Sequence, residues 1–333
     1  MKKALSASLF ALFLAACGAA DTPAPAAPAP AEPQQEQTTA AEANDTELVA
    51  TDFEDVIQVV ATFSILTDMI YQVGRDLVDI YTIVPIGEEP EEHELLPSDL
   101  IAVANADLVF FNGIGLEEGG YWFEGLVEAT DLVEGVNLFQ ASAGITPFTL
   151  LTEGMEDYYD PHAWLDIRNG IVYIHNIAQV LSNFAPEHAD FFATNAANET
   201  ARLQALHDSW VGAFDDIPVE RRIIVTAEGA FRYMSYAYGF DAEFIWELNA
   251  EEEGTIEQMV RIIDIVNNRD IRYLFVESSV EPDYIEQVSE ETGVPIFGML
   301  FTDSLSYADG EAPTYFDMMR HNLETINAAF RSN

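Results

Sequence analysis

Cysteine is almost absent from this sequence: Cys17 is the only one in 333 residues. No disulfide can form within the chain, and a catalytic cysteine in the folded part is excluded. The sequence also contains no Gly-x-Ser-x-Gly, no His-Glu-x-x-His, no phosphate-binding loop and no dinucleotide-binding fingerprint. These absences favour a binding protein over an enzyme.

Lysine is nearly missing too, and this sets the charge of the protein. Lys2 and Lys3 are the only lysines, so the other 11 of the 13 basic residues are arginines, against 58 acidic residues. Beyond residue 3, the net charge is therefore near −47, compared with −45 for the whole chain. Nucleic acid is excluded as a partner, since phosphate contacts need a basic surface. The acidity either concentrates soluble cations or serves solubility, for instance in a salty habitat.

The N-terminus has the features of an export signal. In residues 1–17, Lys2 and Lys3 precede a short apolar run that ends in Leu-Ala-Ala-Cys at Cys17. This pattern predicts a secretory signal peptide, and the run is too short for a transmembrane helix. The last four residues resemble a bacterial lipoprotein box, which predicts lipidation of Cys17; the alternative is an ordinary signal peptide that contains a cysteine. Residues 18–52 are rich in Ala, Pro, Glu, Gln and Thr, which predicts a disordered tether.

From residue 53 onward, short β-branched stretches alternate with segments of helical spacing, which predicts parallel sheets covered by helices. The alternation is interrupted once, by a long apolar helix directly followed by a second helical segment. We therefore predict an α/β fold with two lobes, each with a parallel sheet flanked by helices. The predicted boundaries are 53–166 for the N-terminal lobe, 167–185 for a bridging helix and 186–333 for the C-terminal lobe.

Polar side chains follow the ends of several predicted strands. The second strand runs into an acidic loop with Glu91 and His93, a later strand into Glu228, and the last strand into Asp303. Ligands of open α/β sheets bind beyond the carboxyl ends of the strands. Taken alone, each residue also has an ordinary interpretation, as a solvated loop acid, a helix-start acid or a turn aspartate.

The segment from Asp160 to Asp166 combines a histidine with a stiff backbone. Pro161 fixes its own φ and biases Asp160 toward an extended conformation, so His162 lies on a rigid corner. A fixed imidazole beside carboxylates suits a metal site. A capped turn before a helix is the alternative interpretation.

Several segments, in order, resemble one protein family. They are Val-Ala-Thr-Phe-Ser-Ile at 60–65, Pro-Ser-Asp at 97–99, Asp-Leu-Val-Phe-Phe-Asn-Gly at 107–113, Asp-Pro-His-Ala-Trp-Leu at 160–165, Glu-Gly-Ala-Phe at 228–231, the stretches 245–255 and 275–280, and Phe-Thr-Asp-Ser at 301–304. The chain resembles, from about residue 56 to 326, the metal-binding solute receptors of bacterial ABC importers for manganese, zinc or iron. Within that family it is most similar to the manganese-type lipoproteins of Gram-positive bacteria.

The resemblance implies two α/β lobes bridged by one helix, with a single metal held between them by two histidines and two carboxylates. By motif, His162 is the second histidine, and Glu228 and Asp303 are the carboxylates. The first ligand loop departs from the family's Asp-Pro-His-x-Tyr, because Glu91 stands at the histidine position and His93 at the aromatic one. Either Glu91 coordinates, or the loop shifts so that His93 reaches the metal.

The function implied is capture of a divalent metal, with Mn²⁺ favoured and Fe²⁺ or Zn²⁺ as alternatives, because carboxylate-rich sites suit harder cations. The expected partners are an ABC permease and its ATPase, with the receptor itself a monomer and not an enzyme. The expected location is the outer face of the cytoplasmic membrane or the periplasm, with lipid-modified Cys17 as the anchor. A surface adhesin or structural lipoprotein and a metal-dependent hydrolase are the alternatives, and loss of metal binding is a further one.

Overall fold

The computed structural model describes residues 56–117, 122–248 and 254–332. The predicted signal peptide, the lipidation of Cys17 and the predicted tether at 18–52 lie outside the described residues. Within the described residues, no helix combines the length and the apolar character that crossing a membrane requires.

The N-terminal lobe is built on a parallel sheet of four strands in the order β2-β1-β3-β4. The strands are β1 (Ile57–Ala61), β2 (Val78–Thr82), β3 (Leu108–Phe111) and β4 (Leu138–Gln140), and the helices are α1 (Ser64–Gly74), α2 (Pro97–Asn105) and α3 (Trp122–Ala129). Apolar runs such as Leu-Val-Phe-Phe in β3 are buried, as expected for strands covered on both faces. The sequence did not predict β4, because three residues are too few to show a periodic pattern.

The bridging helix α4 (Ile167–Phe184) follows directly after the His162 corner. It begins at Asp166, whose side chain accepts a hydrogen bond from the backbone N–H of Arg168 and so caps the helix. Its buried face recurs every three to four residues and comprises Tyr173, Ile174, Ile177, Ala178 and Leu181. After a proline turn, α5 (Ala189–Trp210) packs back against α4 and α1.

The C-terminal lobe contains two parallel strand pairs instead of one continuous sheet. The pairs are β5 (Ile223–Glu228) with β6 (Asp241–Trp246), and β7 (Leu274–Glu277) with β8 (Ile296–Leu300). Its helices are α6 (Arg232–Tyr238), α7 (Ile256–Asn268), α8 (Asp283–Thr292) and α9 (Tyr315–Arg331). The Glu277 carboxylate links the pairs, since it accepts a hydrogen bond of 2.7 Å from the backbone N–H of Ala227.

One large apolar core extends from the N-terminal sheet through α4 to α9, and a second lies between the outer strands and helices of the C-terminal lobe. At the centre of the first core, the Tyr315 hydroxyl donates a hydrogen bond of 2.6 Å to the carbonyl of Trp164. Gly170 permits this approach, because any Cβ at that position would collide with the Tyr315 ring. Both lobes are thus packed on the segment that leads into the bridging helix.

Candidate metal site

His162 lies on a corner that is held from both lobes. The Asn112 side chain, at the end of β3, donates to the carbonyl of Pro161 over 3.2 Å. From the C-terminal lobe, the Tyr233 hydroxyl donates to the carbonyl of Asp160 over 2.9 Å. His162 is only 1% exposed. The stiff corner expected from Pro161 is therefore further fixed by contacts that the sequence did not reveal.

Asp160 orients the imidazole of His162. Its Oδ1 atom lies 2.9 Å from Nδ1 of His162 and also accepts the backbone N–H of His162 over 3.1 Å. A proton on Nδ1 satisfies this contact and leaves Nε2 as the free electron pair. Metal-binding histidines commonly have such a carboxylate partner on the second nitrogen.

Glu228 is the last residue of β5 and is buried. The Glu277 side chain accepts from its backbone N–H at 3.3 and 3.4 Å, which fixes the end of the strand. The next residue, Gly229, packs against the backbone of Glu247, where an added Cβ would lie 2.7 Å from the Glu247 carbonyl oxygen. Glycine is required here because this close approach leaves no room for a side chain.

Asp303 follows β8 and is held by two other elements. The indole N–H of Trp164 donates to the carbonyl of Thr302 over 3.0 Å. The side chain of Asn322, in α9, both accepts from and donates to the backbone of Phe301 at 2.9 and 2.7 Å. Trp164, just before the bridging helix, therefore helps to set the position of the loop that carries Asp303.

These contacts bring His162, Glu228 and Asp303 together. One ligand atom from each lies within 4.8 Å of the others. From Nε2 of His162 the distances are 3.4 Å to Oδ1 of Asp303 and 3.7 Å to Oε2 of Glu228. All three side chains are buried. Glu228 lies at the carboxyl end of β5 and Asp303 lies beyond that of β8, in agreement with the strand-end positions that the sequence predicts.

Glu91 lies near enough to this cluster for the charges to act on its pKa, although its oxygens do not join the three ligand atoms within 4.8 Å, whereas His93 is held elsewhere. Glu91 is buried, its Oε1 atom has no hydrogen-bond partner among the described residues, and Glu228, His162 and Asp303 are near enough to act on its pKa. Nε2 of His93 instead lies 3.1 Å from Oδ2 of Asp99, and the His93 ring packs edge-on against Trp122. Trp122 also donates to the carbonyl of Pro90 over 2.8 Å. Of the two alternatives from the sequence, this geometry favours Glu91.

Burial and like charge raise the pKa values of the carboxyl groups around the cluster. Burial is the main reason that the pKa of Glu91 lies well above its usual value, and the charge of Glu228 adds to it. Burial likewise raises the pKa of Glu277 well above its usual value. Burial alone would lower the pKa of His162, but Glu228, Asp303 and Asp160 together raise it well above the usual value. The buried negative charge is thus incompletely balanced by one imidazole.

A divalent cation fits this arrangement. Within the part of the chain that the structure describes, Oε1 of Glu91, Oδ1 of Asp303 and Nε2 of His162 are buried without hydrogen-bond partners, which is costly for polar groups removed from water. A cation would satisfy all three and neutralise the surplus charge. One nitrogen and several carboxylate oxygens suit manganese or iron(II) by ligand hardness, although intrinsic affinity still favours zinc.

Comparison with known proteins agrees with this geometry. Residues 59–329 match the family model ZnuA, described as the periplasmic component A of a zinc-uptake complex. The chain belongs to this family. The ZnuA match spans both lobes and α4, and it includes Glu91, His162, Glu228 and Asp303. It confirms the resemblance seen in the sequence.

Curated ZnuA-type relatives from streptococci are similar over most of their length. The manganese ABC transporter substrate-binding lipoprotein PsaA of Streptococcus mitis is 41% identical over 271 residues, covering 81% of this chain and 88% of the relative. The metal ABC transporter substrate-binding lipoprotein FimA of Streptococcus parasanguinis is 40% identical, with the same coverage of 81% and 88%.

Solved structures of periplasmic metal-binding proteins share the fold. The Mn-bound periplasmic metal-binding protein from Candidatus Liberibacter asiaticus is 29% identical, with a TM-score of 0.72 over 82% of this chain and 98% of that one. The periplasmic zinc-binding protein TroA from Treponema pallidum is 25% identical, with a TM-score of 0.75 over 83% and 100%. The predicted α/β fold class is confirmed.

Two acidic residues of the site region with buried carboxylates were not predicted from the sequence. Glu277 is not among the site residues predicted from the sequence, yet it fixes the backbone at Glu228. Glu89 is not among those predicted residues either, yet both of its carboxylate oxygens are buried. The buried position of Glu277 in an apolar strand was the one available signal; the acidic loop around Glu89 offered none.

Proposed function

We propose that this chain captures a divalent transition-metal ion outside the membrane and delivers it to an ABC permease and its ATPase. Mn²⁺ is the first candidate, with Fe²⁺ and Zn²⁺ as alternatives. One observation carries the proposal: His162, Glu228 and Asp303 converge in a buried cluster built from distant parts of the chain. Glu91 completes the ligand set, giving one histidine and three carboxylates.

The same cluster supports capture over catalysis. A hydrolytic metal site keeps a coordination position open to water and substrate. Here His162 and Asp303 are each 1% exposed and Glu228 is 0% exposed, so a bound ion would be enclosed by protein. Enclosure suits a carrier that must hold its cargo until it meets a partner.

Calorimetric titration of the metal-free protein with Mn²⁺, Fe²⁺ without oxygen, and Zn²⁺ tests metal capture. We expect one ion per chain in the wild type and no saturable binding after Glu228→Ala combined with Asp303→Ala. Asp309→Ala is the matched control, because Asp309 is an exposed acid a few residues beyond Asp303. Equal binding, or none, in the wild type and the double variant would exclude the proposal and leave an adhesin of the same fold.

Delivery is tested in cells that lack their own receptor. Uptake of radioactive manganese should require both the wild-type chain and its permease, and the double variant should not restore it. The proposed lipid anchor is tested by Cys17→Ala, which should release the protein from the membrane fraction without changing its affinity for metal. A variant that stays with the membranes would rule out the anchor.

A further inference from the structure

An acidic cavity lies beside the candidate metal site. It has a volume of about 630 Å³ and is bounded by the loop after β2 and by the loop after β7, so both lobes contribute to it. Five acidic side chains line it: Glu88, Glu89, Glu92, Glu94 and Glu281. An acidic wall concentrates cations, but acidity alone does not define a binding site.

Glu89 differs from the other acids of this cavity. As a residue it is partly exposed, yet both of its carboxylate oxygens are shielded from solvent, and no donor of residues 56–117, 122–248 or 254–332 meets either one with normal hydrogen-bond geometry. The Ser279 hydroxyl is near enough to lower the pKa of Glu89 in part, without forming such a bond. A buried carboxylate without partners is costly and calls for a ligand.

Glu89 also lies at the boundary between the cavity and the metal cluster. Burial raises its pKa well above the usual value, and the next largest causes are the charges of Asp303 and Glu228. Ser279 makes the same connection, because it lines the cavity and donates to Oδ2 of Asp303 over 3.4 Å. The two residues therefore connect the acidic cavity with the candidate ligands, Ser279 by a direct contact and Glu89 through the electrostatic effect of Asp303 and Glu228.

We propose that Glu89 is a further metal-binding residue, which coordinates the divalent cation as it passes between the acidic cavity and the His162 site. The inference rests on the proposed function. A hydrated cation must exchange its waters for protein ligands one at a time, and a carboxylate at the boundary can replace some of them before His162, Glu228 and Asp303 replace the rest. Glu89 thereby lowers the barrier to entry and release alike.

The experiment measures the rates of Mn²⁺ binding and release by the full folded chain and by Glu89→Gln. Trp164 lies with its ring centroid 5.3 Å from that of His162, so its fluorescence should respond to a paramagnetic ion in the site. Release is followed by trapping Mn²⁺ with an excess of chelator. We expect both rate constants to fall about tenfold or more, a change in barrier of about 1.4 kcal/mol, while the dissociation constant stays within about threefold.

Glu92→Gln is the matched control. Glu92 is exposed in the same cavity and the substitution removes the same charge, so it reports the loss of long-range attraction alone. Glu89→Asp keeps the carboxylate and should restore part of the rate.

Two results would overturn the inference. One is a binding rate for Glu89→Gln that equals that of Glu92→Gln. The other is an unchanged binding rate with faster release, which would make Glu89 an ordinary ligand of the bound ion. If the wild type itself binds no Mn²⁺, the proposed function fails first, so the two failures are distinguishable.

Discussion

The Nδ1 atom of His162 lies 2.9 Å from Oδ1 of Asp160, two residues earlier in the chain. The same oxygen accepts the backbone N–H of His162, so the ring and its backbone are fixed by one carboxylate. A proton on Nδ1 leaves Nε2 directed toward Glu228 and Asp303. Asp160 therefore fixes His162 in the orientation and tautomer that a metal needs.

Asp160→Asn should weaken Mn²⁺ binding by about 10- to 100-fold, because the partner of a metal-binding histidine orients it and raises its basicity. Calorimetric titration measures this loss. Asp157→Asn, an exposed acid just upstream, should leave the affinity unchanged. Equal affinities of the wild type and Asp160→Asn would show that the contact only supports the turn.

Replacement of Glu91 and of His93 should have different consequences. Glu91→Gln should reduce Mn²⁺ affinity by more than about 100-fold, above the range for residues that only support a ligand. His93→Gln should cost less than about tenfold, since a glutamine can still donate to Asp99. Affinities of the two variants, measured side by side, decide the question. The opposite order would mean that the loop shifts and His93 reaches the metal.

Metal binding should raise stability, because the ion binds the folded chain and not the unfolded one. At about 1,000 times its dissociation constant, Mn²⁺ should add about 4 kcal/mol to the free energy of unfolding. Asp303→Asn should remove this gain. It should also leave the metal-free protein about as stable as the wild type, because the charge that it removes repels Glu89 and Glu91 but attracts His162.

Urea unfolding with and without Mn²⁺ checks both statements. Asp309→Asn, the exposed acid on the same loop, should keep the full metal-dependent gain. A metal-free Asp303→Asn protein that is clearly less stable than the wild type would show that Asp303 supports the fold as well as the site.

Glu117 should make stability depend on pH. It is buried and accepts hydrogen bonds from the Thr62 hydroxyl and from the backbone N–H groups of Asn112 and Gly113. Burial raises its pKa from 4.5 to about 7. The folded state holds this proton more tightly than the unfolded state does. The resulting contribution to the free energy of unfolding is therefore fully present below pH 4.5 and is lost as pH rises to about 7.

Between pH 5 and 8, the wild type should therefore lose about 2 to 3 kcal/mol relative to Glu117→Gln, which cannot ionise. The measurement is urea unfolding of both metal-free proteins across this range, compared as a difference so that other titrating groups cancel. A constant difference would mean that Glu117 stays ionised in the folded state.

The sequence predicted the fold and much of the candidate site for clear physical reasons. Glu228 ends the buried strand β5 and Asp303 follows β8, and the geometry of parallel sheets places strand ends on one edge. The length and apolar face of α4 were visible as periodicity. The strand β4 was missed because it has three residues, and the division of the C-terminal strands into two pairs has no local signature.

The remaining site residues depend on contacts that only the folded chain reveals. The choice between Glu91 and His93 is set by Asp99 and Trp122, which hold the His93 ring from two other elements. Glu89 and Glu92 stand in the same acidic loop and look alike in the sequence. They differ because one carboxylate is buried beside Asp303 and the other is exposed.

The hydrogen bond from Trp164 to Thr302 joins residues 138 positions apart. It connects the segment that carries His162 to the segment that carries Asp303. Asn322 of α9 holds the second segment as well, through the backbone of Phe301. A chain that is synthesised from its N-terminus cannot complete this site before Asp303 and the helix α9 have been made. A bound metal would then show that the segments of His162, Glu228 and Asp303 have been made and folded together. A receptor truncated before Asp303 could not bring metal to a permease.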